Sequence, residues 1–312
     1  MIRYVVKRVL LMIPIILCVT FLIFFIMDLM PGTPAQTMLG QEATAEAIAE
    51  LNHQLGYDKP FIYRYFKYIY DIVINHDMGT SYSWKRPVWN EVMNRLPTSI
   101  VVAANGMLVA IVLGIPIGVI SAVKQYSGID KVSTFISLFL GAIPAFWLSM
   151  VLIVVFAVKL GWLPTSGMGS LKHYILPALG LGLGYAAKEM RYTRSSMLDS
   201  VRQDYIDTAR SKGVPEKRVI WKHALQNALL PVITMTGTTF SSLIGGALVS
   251  EQVFALPGVG SLMTTAIYSK DIPIVMGCVV VLATLYSVIL LLIDLLHALI
   301  DPRIKARYAN RR

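Results

Sequence analysis

Asp294 and His297, one helical turn apart near the end of a long apolar run, come closest in type and spacing to a proton-transfer pair. They suit a polar helix end beside Arg303 better, and no third group completes a catalytic set. Phosphate chemistry has no seat either: without any Gly-Lys dipeptide there is no G-x-x-x-x-G-K-[ST] loop. No H-E-x-x-H metal helix and no G-x-S-x-G nucleophile elbow stands out. Cys18 and Cys278 fall inside apolar runs, where they act as small hydrophobic residues and imply neither a disulfide nor a metal site. The expectation is a chain that is not an enzyme and binds no cofactor or metal of its own.

Two other groupings carry more information. Thr234, Thr236, Thr238, Thr239, Ser241 and Ser242 crowd one uncharged stretch, followed by Gly245, Gly246 and Glu251. Each hydroxyl can satisfy itself on the preceding helical turn, but as a cluster they suit the wall of a polar path. Thr234, Thr238, Ser241, Ser242 and Glu251 are the candidate path residues. The second grouping is Arg191 to Leu225, where Met197, Val201 and Tyr205 at fourfold spacing predict one apolar helix face. Asp207-Thr208-Ala209-Arg210-Ser211-Lys212-Gly213 then reads as a helix end, basic in its last turn and with glycine where a left-handed cap is wanted. Val214-Pro215-Glu216-Lys217-Arg218 restarts a second short helix, with proline at a tolerated early position. Such an element can receive force from a partner; a solvated basic loop is the plainer alternative.

Both groupings need apolar elements to hold them. With 55% hydrophobic and 15% charged residues, 312 residues carry more apolar surface than one soluble core can bury. Five uncharged runs exceed the roughly 18 residues needed to cross about 30 Å of hydrocarbon: Val9 to Met27, Leu96 to Val123, Val132 to Val158, Ala224 to Ser250 and Ile272 to Ile293. A shorter glycine-rich run, His173 to Ala187, counts as a sixth span, because without it the basic segments would lie on opposite sides of the membrane. With it, Arg3, Lys7 and Arg8, the loop of Lys124 and Lys131, the segment from Lys188 to Lys222 and a basic tail over 301–312 all face the cytoplasm, as do both termini. The net charge of +10 follows from that arrangement and does not require nucleic acid, since no basic stretch is interleaved with exposed aromatics. The first run is longer than a usual signal core and lacks a clean cleavage site, so it reads as an uncleaved helix. Small residues that admit close helix approach stand at Gly114 and Gly118, flanking Pro116, and at Gly180, Gly182 and Gly184. Roughly 70 residues between the first two spans are too many for an idle connection. Thr44 to Leu55 predicts a helix, and Tyr63 to Val73 an aromatic-rich helical or interfacial segment packed as a lid.

The segment D207-T-A-R-S-K-G213, followed by VPEKRVIWKHALQNALLP, resembles the EAA loop of ABC importer permeases. Further stretches resemble the dipeptide and oligopeptide permease group, which includes nickel and glutathione importers: RYVVKRVLLMIPIILCVTFLIFF at the start, MPGTP at 30–34, DMGTSYSWKRPVWNEVMNRLPTSI at 77–100, SEQVFALPGVG at 250–260 and DLLHALIDPRIK at 294–305. Asp207 and Thr208 stand where the general pattern has Glu and Ala, and Gln226 where a proline is common. The resemblance implies an all-α membrane protein of type I importer form, with about six transmembrane helices, an external lid between the first two and a cytoplasmic coupling helix between the fourth and fifth. It divides the chain into a first helix plus lid (1–95), a five-helix core with its coupling loop at 196–225 (96–300) and a basic tail (301–312). It further implies a bacterial inner-membrane permease subunit carrying peptides, or else nickel chelates or glutathione. Asp207, Thr208, Ala209, Arg210, Gly213, Glu216 and Arg218 would engage an ATPase. Its implied partners are a second homologous permease, two ABC ATPases that use ATP and Mg, an extracytoplasmic substrate-binding protein and membrane lipids. An ion-coupled secondary transporter is the more distant alternative, though no internal repeat supports it.

Overall fold

The computed structural model describes residues 2–40 and 42–300, with side chains for 5–40 and 42–295. The basic tail over 301–312 and the side chain of His297 lie outside the described residues. The described residues are helical throughout apart from turns, loops and one isolated bridge between Thr80 and Pro87. In chain order the helices are α1 (Ile2–Leu29), α2 (Pro34–Leu39), α3 (Ala45–Gln54), α4 (Phe61–Ile74), α5 (Val88–Val123), α6 (Gly128–Ala142) and α7 (Ala145–Lys159). There follow α8 (Lys172–Val201), α9 (Asp204–Ser211), α10 (Glu216–Val253), α11 (Val259–Tyr268) and α12 (Ile272–Ile300). The described residues form two compact units, one from the chain up to Thr98 with Pro257–Val288, the other from Ser99–Leu256 with residues 289–300.

In the first unit α1 is apolar almost all round, and Leu10, Leu22 and Phe25 are exposed along its length. Water would not tolerate such a surface, whereas lipid does. Its inner stripe, Phe24 and Met27, joins Tyr65 of α4, Val88 and Val92 of α5, Leu262 of α11 and Ile274 of α12 in one core. Polar contacts fix the register. Tyr65 donates to the Leu17 carbonyl at 2.9 Å and shares a hydrogen bond with Thr20 at 3.1 Å. Arg64 reaches Asp28 at 2.6 Å while its guanidinium lies 4.1 Å from the Tyr57 ring centroid. The predicted lid helices are present: Thr44 caps α3, with Glu46 in its first turn, and Tyr65 is the buried residue of α4. The capped helix α2, which starts inside MPGTP, was not anticipated.

In the second unit α8 is the central helix, packed by α5, α6, α7 and α10. That position explains its composition. A helix surrounded by protein needs close packing more than lipid-facing bulk, so its apolar stretch is rich in glycine and poor in leucine side chains directed outward. A Cβ on Gly182 would meet the Gly106 carbonyl at 2.6 Å, one on Gly114 the Ala186 carbonyl at 2.7 Å, and one on Gly118 the Met190 carbonyl at 2.6 Å. The helices touch backbone to backbone. Pro116 does not interrupt α5, because the preceding turn, Ala110–Gly114, opens to π geometry and accommodates the missing N–H.

Three expectations are corrected here. The run Val132 to Val158 is not one continuous helix: α6 and α7 meet at a bend of 103°. The cause is Pro144, which lacks an N–H and holds Ile143 extended (ψ 130°). The sixth run does not end at Lys188, since α8 continues unbroken to Val201 and places Lys188 and Arg191 inside the helix. Glu216 does not open a second short helix; it begins the same helix that forms the fifth span, continuous through a π turn at Val219–Ala224. Among the described residues four helices are thus long and apolar enough to cross a membrane singly, or five with the bent pair counted as one, and α8 is a further long helix outside that count.

Candidate functional site

The segment joining α8 to α10 lies within the second unit. A break at Arg202–Gln203 starts the separate helix α9, with Asp204 and Asp207 in its first turn and Arg210 in its last, both placements favoured by the helix dipole. Its C-terminus is a Schellman motif: Val214 N–H donates to the Ala209 carbonyl at 3.2 Å and Gly213 N–H to the Arg210 carbonyl at 2.9 Å. Gly213 sits at φ +73°, where a side chain would be strained. Arg210 then clasps the turn, donating to Glu216 at 2.8 and 3.2 Å and to Asp207 at 3.3 Å. Those carboxylates, Glu216 first, push its guanidinium pKa higher still, so the clasp stays charged.

The apolar anchor is Ile206, wholly buried with Met197, Val219, Ala224 and Ala228. Tyr205, predicted to continue the face of Met197 and Val201, is exposed instead. The fourfold count ran through a helix break, and Ile206, the lone branched aliphatic residue of α9, was the better signal. Outward from this anchor, Asp207, Thr208, Gly213, Glu216 and Arg218 are exposed, with Trp221 beside them, while Ala209 is half-buried. Elsewhere in the unit Arg194 takes Asp130 in a two-pronged pair at 2.6 and 2.8 Å, tying α8 to the start of α6, and Asp130 also accepts from the Tyr126 amide at 2.8 Å and from Ser121.

The hydroxyl cluster on α10 divides between two faces. Thr234, Thr238 and Ser242 share the open face with Gly245 and Val249, and each hydroxyl donates to a carbonyl one turn back. Ser241, Thr239 and Glu251 are buried. The five candidate path residues therefore differ in exposure: Thr238 and Ser242 are exposed, Thr234 is half-buried, and Ser241 and Glu251 are buried. Thr236 donates to Glu189 of α8 at 3.3 Å, a fully buried carboxylate that sequence reading missed.

A second polar centre, in the first unit, was equally invisible. Asp271, wholly buried, accepts from the Ser81 hydroxyl at 2.5 Å and from the amides of Tyr82 and Ser83 at 3.1 and 3.0 Å. Its neighbour Lys270, pushed below its ordinary pKa by burial, donates to the carbonyls of Met30, Pro31 and Gly32. Among the described residues no three His, Cys, Asp or Glu side chains gather as a metal site would need.

Long apolar helices, a broken span and an exposed, rigidly capped helix define a multi-pass helical membrane protein. Residues 114–306 match the model of the binding-protein-dependent transport system inner membrane component, and residues 1–103 match the corresponding N-terminal model. The chain belongs to that family. It is 38% identical to the dipeptide transport system permease protein DppB of Alkalihalophilus pseudofirmus, covering 98% of this chain and 100% of the relative. It is 40% identical to the glutathione transport system permease protein GsiC of Escherichia coli K12, covering 98% and 99%. Among solved structures, the inward-facing MetNI methionine ABC transporter matches at TM-score 0.58 and 17% identity, over 67% of this chain and 95% of that one. An amino acid ABC transporter matches at 0.50 and 15%, over 68% and 92%. These two likenesses concern the fold.

Proposed function

We propose that this chain is the permease subunit of an ATP-driven importer and supplies half of a path for small peptides. The observation that carries the reading is α9, a helix fixed on its inner side by Ile206, capped at Gly213, clasped by Arg210 and bare on its outer side. A bare, rigid helix transmits displacement, whereas a loose loop would absorb it. Asp207, Thr208, Ala209, Arg210, Gly213, Glu216 and Arg218 make up the coupling surface. An ATPase that engages it differently in two nucleotide states shifts the equilibrium between two permease states. ATP and Mg belong to two such ATPases, and a substrate-binding protein delivers cargo on the other side. A second, related permease faces the open side of α10, where Thr234, Thr238 and Ser242 line the path while Ser241 and Glu251 support it from within. Dipeptides and glutathione, the cargoes in the names of DppB and GsiC, give the cargo class.

The test is affinity purification of the tagged chain from its host in mild detergent. ATPases and a second permease should co-purify, and Gly213→Pro or Arg210→Glu should lose the ATPases and uptake while the chain stays folded. Recovery of the chain alone, competent for transport driven by an ion gradient, would overturn the reading.

A further inference from the structure

A cavity of about 300 Å³ opens at the inner side of the bend between α6 and α7, at the lower end of the volumes that small-molecule sites occupy. Leu140, Ile143 and Leu148 supply its apolar wall from the bend, and Tyr185, Lys188 and Arg191 supply the polar wall from α8. Irregular backbone at membrane depth is tolerated where it lines a cavity, and discontinuous spans are where transporters hold cargo.

The charge on the polar wall is the informative part. Among the described residues, neither Lys188 nor Arg191 lies within ion-pair distance of a carboxylate. The acids close in sequence or space are engaged elsewhere: Asp130 takes Arg194, and Glu189 is buried beside Gly114 with Thr236 donating to it. Arg191 spends an N–H on the Ser137 carbonyl at 2.7 Å, which fixes the guanidinium at the cavity and leaves further donors. Lys188 and Arg191 follow directly on the uncharged run that ends at Ala187, so the cavity lies where the apolar part of α8 gives way to its charged part. Cations that line a cavity without an ion-pair partner are placed to meet an anionic ligand. The Tyr185 hydroxyl also packs over Gly246 of α10, next to Ser242 and Gly245, so the cavity adjoins the open hydroxyl face.

We propose that Lys188 and Arg191 form a carboxylate subsite, through which cargo is held by its C-terminal carboxylate while a side chain rests against Leu140, Ile143 and Leu148. The proposal rests on the peptide reading above. It adds that recognition continues inside the permease after delivery, with charge-assisted hydrogen bonds that a neutral molecule of the same size cannot make.

The test is uptake of radiolabelled dialanine by host cells in which this importer, with its own partners, is the sole peptide route. Lys188→Gln should lower the maximal rate about tenfold, the loss of one charge-assisted contact, without changing the half-saturating concentration set at delivery. Arg191→Gln should act in the same direction, and Lys188→Arg should keep the rate within about twofold, since the cation that makes the charge-assisted contact is retained. Lys188 is exposed, so its substitution leaves packing intact, and co-purification of the ATPases verifies assembly. Wild-type rates in both Gln variants would overturn the subsite, including the case in which only bound anionic lipid is lost. So would an Arg variant as slow as the Gln variant. Absence of dialanine uptake in the wild type would instead strike the peptide reading, and the subsite with it.

Discussion

Single residues act in this protein through two distinct economies of charge. Arg210 is exposed, and its pairs with Glu216 and Asp207 are surface pairs, worth at most about 1 kcal/mol. Reversing it therefore alters what a partner meets far more than whether the chain folds. Asp271 is the opposite case. Removing its carboxylate strands the Ser81 hydroxyl and the Tyr82 and Ser83 amides in a buried place. Asp271→Ala should destabilise by about 3 kcal/mol, seen as a lowered thermal midpoint in detergent, whereas Arg210→Glu should leave that midpoint nearly unchanged. Gly213 was legible because a left-handed cap has a sequence signature; Asp271 was not, because its partners lie about 190 positions away.

At the scale of elements, α8 is decided by what surrounds it. The glycines of α5 and α8 let two helices meet at their backbones, and a single methyl at Gly118 would fall 2.6 Å from the Met190 carbonyl. Gly118→Ala should cost about 2 kcal/mol or more and lower the yield of folded complex. Gly128, at the first turn of α6, has nothing within 4 Å of a built Cβ, so Gly128→Ala should be neutral or stabilise by about 0.5 kcal/mol. Thermal unfolding of the two variants side by side separates packing from propensity. Sequence patterning located the apolar part of every long helix, yet missed the bend at Ile143–Pro144 and the continuation of α8 past Lys188. A charge ends an apolar run without ending a helix, and a proline inside an apolar run bends the chain without adding polarity.

For the whole molecule, the distribution of basic residues predicts an orientation with both termini and α9 in the cytoplasm and α3 outside. A cysteine placed at Ala47 or Ala49, both exposed on α3, should react with an impermeant maleimide added to intact cells, and one at Ser211, exposed at the end of α9, only after the cells are opened. Labelling of both sets from one side would reject that topology. Composition and the length of uncharged runs by themselves determined that the chain is a multi-pass helical membrane protein, since hydrocarbon imposes its demand on every span independently of the others. The turn chemistry of Gly213 and the capping residue Thr44 were likewise local, and so readable. Only the tertiary structure decided which hydroxyls of α10 are open, that Ile206 and not Tyr205 anchors α9, and that Lys188 and Arg191 line a cavity without an ion-pair partner among the described residues. Each of those depends on which face of a helix meets a neighbour, and a helix of mixed small and polar residues leaves that choice to packing between segments far apart in the chain.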